Sequence, residues 1–418
     1  MKLHIIGGGP AGLSAARTAI EAGAKVCLID DNLAPGGQIW RGGPDKWMDG
    51  RAVDAWRALH AHPDFTHLQN ASVIAAPDAN TLLLEVENRG VRVEFERLLI
   101  CSGARERFLP FAGWTLPGVT GAGGLQSLIK GGMPVRQQRV VIAGSGPLLL
   151  ATAVCALQAG AQIAAIVEHQ ALARLSGFGL GLLLRHREKF RQAASLFAQL
   201  RRISYITGGQ IVEAKGRDRL QSVVIKTERS RKEYPCDFLA AGFGLVPNVD
   251  LAHALGCDIV DAAIQVDHLQ KTSRANIWAA GECAGIGGVD KALVEGRIAA
   301  LDALGSAPSA RDLSTRRECR DFAALLARSF EPDASLKAMC QPDTIVCRCE
   351  DVPASMLSAQ PDWRQAKLAT RVGMGPCQGK TCGPACAFLF GWSLPASRIP
   401  IMPATAQALA QIDYNPGE

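Results

Sequence analysis

Four cysteines carry the most specific chemistry in the chain: Cys347-Arg348-Cys349 and, after residues 350–376, Cys377-Gln378-Gly379-Lys380-Thr381-Cys382. Two close pairs of thiolates are soft ligands. They exclude Mg or Ca and suit a transition metal or a [2Fe–2S] cluster. Zinc is the rival, but structural zinc knuckles usually space their cysteines by two to four residues, and the first pair has one. Cys386 is a reserve ligand; the alternative is a helix-core residue.

A second kind of chemistry lies in the glycines. Gly7, Gly9 and Gly12 form G-x-G-x-x-G between an apolar run, Lys2 to Ile6, and an Ala-rich helix that Pro10 and Ala11 open. The first glycine permits a tight turn, the second lets a pyrophosphate approach the backbone, and the third lets helix and strand pack closely. Asp30 ends the next strand, placed to accept from a ribose. The pattern returns at Gly144, Gly146 and Pro147, with Leu149 at the third glycine position and Glu168 closing the following strand. Glu168 would repel a 2′-phosphate and so favours NAD over NADP. This second fold either holds a nucleotide (NAD, FMN or ATP) or docks a partner.

These motifs need strands and helices to hold them. Strand–turn–helix–strand units are expected over 2–30 and 139–168, with intervening strands at Ser72 to Ile74, Thr81 to Glu87, Val91 to Phe95 and Arg97 to Cys101. Later strands fall at Ser222 to Lys226, Phe238 to Ala241 and Asn276 to Ala280, followed by a helix from Asp290 to Ala303. Gly305 to Ser314 reads as a linker. Arg185 to Arg202 reads as the solvated basic face of one helix. The apolar run Pro147 to Val167 is interrupted by Gln158, Gly160 and Gln162, where a helix hands over to a strand, so a membrane span is not expected. A length of 418 residues implies more than one domain. The net charge of +6 makes no case for nucleic acid. Thirteen cysteines with no evident signal peptide point to a reducing, cytoplasmic setting.

Gly36-Gly37-Gln38, Cys101-Ser102-Gly103-Ala104 and Ala280-Gly281-Glu282 follow the first glycine motif in an order that resembles the two-dinucleotide-binding flavoproteins, a superfamily that includes glutathione reductase and thioredoxin reductase. The resemblance covers residues 1–305 and implies FAD. It sets Glu282 on the flavin ribitol and adds Asp31, Val73, Lys291 and Ala292 to the cofactor side. The cysteine pair that disulfide-reducing members need is missing: Cys27, Cys101, Cys155, Cys236, Cys257 and Cys283 are isolated, so disulfide reduction is excluded. The thiol quartet resembles the cluster-binding fold of bacterioferritin-associated ferredoxin, departing from it in having four residues inside the second pair instead of two.

Gly103-Ala104-Arg105-Glu106-Arg107, Trp114 to Val119 and Gly373 to Lys380 extend the resemblance over nearly the whole chain. They look like the flavin- and cluster-bearing subunit of bacterial multi-subunit amine dehydrogenases, of the opine oxidase, D-hydroxyproline dehydrogenase and hydrogen cyanide synthase type, with the large subunit of heterotetrameric sarcosine oxidase more distant. The implied fold is α/β. Residues 1–112 and 243–305 would form an FAD domain, 113–242 a second dinucleotide-binding-like domain, 306–343 a linker with a helix, 344–392 a small, mostly helical [2Fe–2S] domain, and 393–418 a Pro-rich tail. The implied partners are an amine-oxidising FAD subunit of the glycine/D-amino-acid oxidase type and a small ferredoxin-like subunit. The flavin and cluster would carry the chemistry, with no catalytic side chain. A self-sufficient NADH-dependent reductase and a non-catalytic scaffold are the competing readings.

Overall fold

The computed structural model describes residues 1–395 and 397–412. Its organising feature is one supersecondary unit used twice. In the first copy, β1 (Lys2–Ile6) leads through the glycine turn into α1 (Pro10–Glu21) and back to a parallel β2 (Lys25–Ile29). The second runs β3 (Arg139–Gly144), α2 (Leu148–Gln158) and β4 (Gln162–Glu168). β1 and β3 are buried along all but their first residue because both faces of a parallel sheet are covered. Beyond β4 the chain forms two consecutive helices, α3 (Leu172–Arg185) and α4 (Arg187–Gln199), that break at His186. The helix expected over Arg185 to Arg202 is α4, and it buries no residue.

The chain divides into two compact units: residues 1–105, 246–323 and 395–418, and residues 106–245 and 324–394. The first holds a five-stranded parallel sheet in the order Ile277–Ala279, Leu98–Ile100, β1, β2, Phe65–Leu68. α1 and α5 (Val289–Ala303) pack together through small residues. A Cβ on Gly296 would fall 2.2 Å from the Ala11 carbonyl oxygen, so only glycine permits this approach. An antiparallel sheet (Ala71–Asp78, Thr81–Val86, Arg89–Glu94) receives the C-terminal segment, whose Ile401 N–H donates to Ile74 O at 2.8 Å and whose Ala408 is fully buried. The expected extended tail thus carries a short helix, Ala406–Leu409; residues 396 and 413–418 of it lie outside the described residues. The expected linker is shorter than 305–314, because α6 (Ala310–Phe330) begins inside it.

In the second unit the parallel order is Tyr205–Thr207, β4, β3, Phe238–Gly242, Val119–Gly121, beside an antiparallel sheet of Gln210–Gly216, Leu220–Lys226 and Arg231–Pro235. The cysteine segment belongs to this unit and not to a third one. It keeps its own core, with Val346, Leu357, Trp363, Ala366 and Val372 around α7 (Cys382–Phe390). Phe388 of α7 packs on the core of the neighbouring fold, and Trp114 Nε1 donates to the Ile345 carbonyl.

Candidate functional sites

At the first glycine turn the three glycines do different work. A Cβ on Gly7 (φ +101) would sit 2.3 Å from Cys101 O, and one on Gly12 would sit 1.9 Å from Gly7 O. Both are required by the protein's own backbone. Gly9 is different: a Cβ there meets nothing nearer than Gly37 Cα at 3.9 Å. The space beside it is open, and α1 begins there with Pro10 at its first turn and the helix N–H groups facing outward. Asp30 is buried and accepts from Gly8 N and, at 2.8 Å, from Asn32 N. Gly36 N donates to Gly8 O at 2.7 Å, which sets Gly37 against Gly9; Gln38 and Asp31 are exposed, and Val73 is half-buried beneath the sheet.

The Ser102–Gly103–Ala104 segment is held by Asn248, which accepts at its carbonyl from Ser102 Oγ at 2.7 Å and returns an amide hydrogen bond to Ser102 O at 2.9 Å. Glu282 accepts from Gly287 N at 2.9 Å and Gly288 N at 2.8 Å, and burial pushes its carboxyl pKa up. Lys291 does not project outward. Its Nζ donates to Gly281 O at 3.0 Å and to Glu295 Oε2 at 2.6 Å, and Glu295, fully buried, also accepts from Gly281 N at 3.1 Å. Ala292 is buried against Gly281. Sequence reasoning missed Glu295; its only signal is the i,i+4 spacing from Lys291. The cradle at Gly9, the donor end of α1 and the buried Asp30 carboxylate fit a dinucleotide pyrophosphate and ribose.

At the second glycine turn an acidic residue again accepts from a turn amide. Ser145 N donates to Gly242 O at 2.7 Å, Gly146 N to Glu168 Oε2 at 2.9 Å, Pro147 has no N–H, and Leu149 N turns back to Gly146 O at 3.1 Å. The Glu168 carboxylate, buried and with its pKa raised by that burial, also accepts from Gln170 N. The end of α6 lies over the turn: Phe330 is the nearest group to a Cβ on Gly146, Glu331 O accepts from Gln170 Nε2, and Asp333 faces His169 at 2.9 Å. Most amides that would meet a phosphate have protein acceptors.

The four thiols open into one cavity of about 390 Å³, shared with Glu106, Phe108, Trp114, Thr120 and Arg348. Cys349 Sγ is 3.7 Å from Cys377 Sγ, and Cys347 and Cys382 line the same cavity. Burial pushes the Cys377 pKa up, but the Thr381 amide, the Cys349 thiol and the Gly379 amide outweigh it and leave it below the ordinary thiol range. Cys386 is fully buried inside α7 and its pKa is pushed up to about 12. Among the described residues no three acidic, His or Cys side chains surround a point that one ion could occupy. Four thiols on one cavity are a donor set that fits a sulfur-liganded centre.

Two dinucleotide-type folds, one with an open pyrophosphate cradle, define a flavoprotein oxidoreductase. Over residues 1–301 the chain matches the pyridine nucleotide-disulphide oxidoreductases, and it belongs to that FAD-binding family. It is 32% identical to hydrogen cyanide synthase subunit HcnB of Pseudomonas protegens over 92% of this chain and 90% of that one. It is likewise 32% identical to an opine oxidase subunit of Agrobacterium tumefaciens, over 91% of this chain and 83% of the relative. The crystal structure of L-proline dehydrogenase from P. horikoshii superposes with a TM-score of 0.70 at 18% identity, covering 98% of this chain and 79% of that one. Among the described residues no helix is long and apolar enough to cross a membrane.

Proposed function

We propose that this chain is the FAD- and [2Fe–2S]-bearing relay subunit of a heteromeric dehydrogenase, whose partner flavoprotein oxidises a secondary amine or amino acid of the hydroxyproline, proline, opine or glycine class. The observation that carries the reading is the contrast between the two turns. An acidic residue accepts from an amide of each turn, Asp30 at the first and Glu168 at the second, but only the second has the end of α6, with Phe330 and Glu331, beside it. In this reading the electrons come from a donor other than NADH. The relatives support this, since both are named as subunits of an oxidase or synthase.

In this reading Gly7, Gly9, Pro10, Ala11, Gly12 and Asp30 hold the dinucleotide, with Gly37, Gln38, Ser102, Gly103, Ala104, Gly281 and Glu282 around it. FAD would supply an exchange between two-electron and one-electron transfer, and the cluster a one-electron exit. Cys347, Cys349, Cys377 and Cys382 would hold the cluster, and the Gly379 and Thr381 amides would stabilise charge on its sulfur ligands. Asn248 fixes the Ser102 segment, and the Lys291–Glu295 pair fixes Gly281, so the chain's own side chains orient and bind.

Anaerobic NADH added to the purified chain tests the reading: the flavin absorbance should persist. Co-expression with an amine-oxidising flavoprotein should give dye reduction with one of these amines. Rapid bleaching by NADH would favour a self-sufficient reductase, and amine turnover by the single chain would move the substrate site into this protein.

A further inference from the structure

The hairpin of α3 and α4 is the least buried part of the second unit. Leu175, Phe178, Gly181 and Leu182 line the inner side of α3; Phe178 meets Phe330 edge-on at 4.8 Å, and Gly181 is placed against Leu325. Arg174 is turned toward Gln170 and the Arg328 carbonyl. The opposite side, at helical spacing, carries Leu172, Ser176, Leu180, Leu183 and Leu184 and no charged residue. Leu172 is 65% exposed and Leu184 68%. α4 has no buried residue and adds exposed Phe190 and Phe197. A contiguous apolar face of this kind marks an interaction site.

What it would meet is set by the charge around it. Between residues 172 and 202 there are seven basic residues, among them Arg187, Lys189 and Arg191, and one acidic residue, Glu188. The local excess equals the +6 of the entire chain, so the remaining residues are electrically balanced. Aliphatic leucines bordered by Arg and Lys are the composition of a helix that lies in a lipid interface, with its apolar side among acyl chains and its cations at anionic headgroups. Energetically dominant anchors of protein–protein interfaces are instead enriched in Trp and Tyr as well as Arg, with Leu under-represented; this hairpin is rich in Arg and Leu but has no Trp or Tyr.

We propose that the α3–α4 hairpin docks the protein peripherally on an anionic bilayer, with the leucine face of α3 inserted. The inference goes beyond the relay reading and does not depend on it, because it concerns a surface and not the cofactors.

Cosedimentation of the purified full-length protein with vesicles of phosphatidylcholine alone, and with a third of the lipid replaced by phosphatidylglycerol, tests it. Binding to the anionic vesicles should be at least about tenfold tighter and should weaken at high salt. Leu180→Asp/Leu184→Asp should lower it about tenfold or more. Arg187→Glu/Arg191→Glu should remove most of the preference for anionic lipid. Since all four positions are on the surface, far-ultraviolet circular dichroism and bound flavin should match the parent. Equal, weak binding to both vesicle types overturns the proposal. So does an unchanged affinity of the Leu→Asp variant for vesicles, whereas loss of partner co-purification in that variant, with vesicle binding intact, would assign the face to a protein partner instead.

Discussion

Cys349 and Cys377 place their sulfur atoms 3.7 Å apart although 28 positions separate them in the chain. The strand ending at Cys347 and the turn before α7 meet there, and Cys347 and Cys382 line the same cavity.

Replacing either Cys349 or Cys377 with Ser should therefore remove most of the iron from anaerobically purified protein, and Cys386→Ala should leave it in place. Metal binding and local folding are coupled, so the iron-poor variants should also be cleaved sooner within residues 344–392 under limited proteolysis. Iron analysis and visible absorbance check this. Zinc without iron in the parent protein would replace the cluster with a zinc site.

Gly9 and Gly12 should separate binding from folding. Gly12→Val drives a side chain into the Gly7 carbonyl, 1.9 Å from the new Cβ, and should cost ~3 kcal/mol or more of stability. Gly9→Leu has space in the protein and a φ of −74°, which any residue adopts. It should leave urea unfolding of the flavin-free protein nearly unchanged while weakening FAD about 100-fold, equivalent to ~2.7 kcal/mol. Flavin titration of the two apoproteins measures the difference.

Lys291 and Glu295 are 3% and 0% exposed at their side chains. Lys291→Met leaves a buried carboxylate short of a partner and should destabilise by ~3–5 kcal/mol. Lys291→Met/Glu295→Leu should recover much of that loss, because two apolar side chains replace an ion pair. Equal stability of the single and double variants by chemical denaturation would show that Arg320, whose Nε lies 3.4 Å from Glu295 Oε1, is partner enough for Glu295.

His4 gives the stability a pH dependence. It is buried in β1 with no hydrogen-bond partner for either ring nitrogen among the described residues, and burial, followed by the Lys2 charge, lowers its pKa from 6.5 to about 4. The unfolded chain then binds more protons than the native one between those values. The contribution is complete above pH 6.5 and is lost as pH falls toward 4, amounting to about 3 kcal/mol at most. His4→Leu should flatten this part of the stability curve. An unchanged slope between pH 7 and pH 5 would show that other groups govern it.

Much of this was legible in residue order. Gly7, Gly9, Gly12 and Asp30 announced a dinucleotide turn because close backbone approach favours glycine and an acidic residue follows directly on the next strand. The β1–α1–β2 unit and its second copy followed from apolar runs and glycine breaks, which are local signals. The two cysteine pairs were also local, so their grouping could be read.

The rest depended on residues distant in sequence. Asn248 holds Ser102 and Glu295 holds Gly281, contacts that only packing creates. Leu149 and Glu168 left the second turn undecided, and it took α6, arriving more than a hundred residues later, to cover it. The basic stretch after Arg185 gave no sign that the preceding leucines stay exposed, since periodicity assigns a face to a helix but not what covers that face. The sequence by itself determined which segments could bind a nucleotide or a metal. The tertiary structure decided which of those sites stay open, because a donor, a cavity or an apolar face is free only when no other part of the chain reaches it.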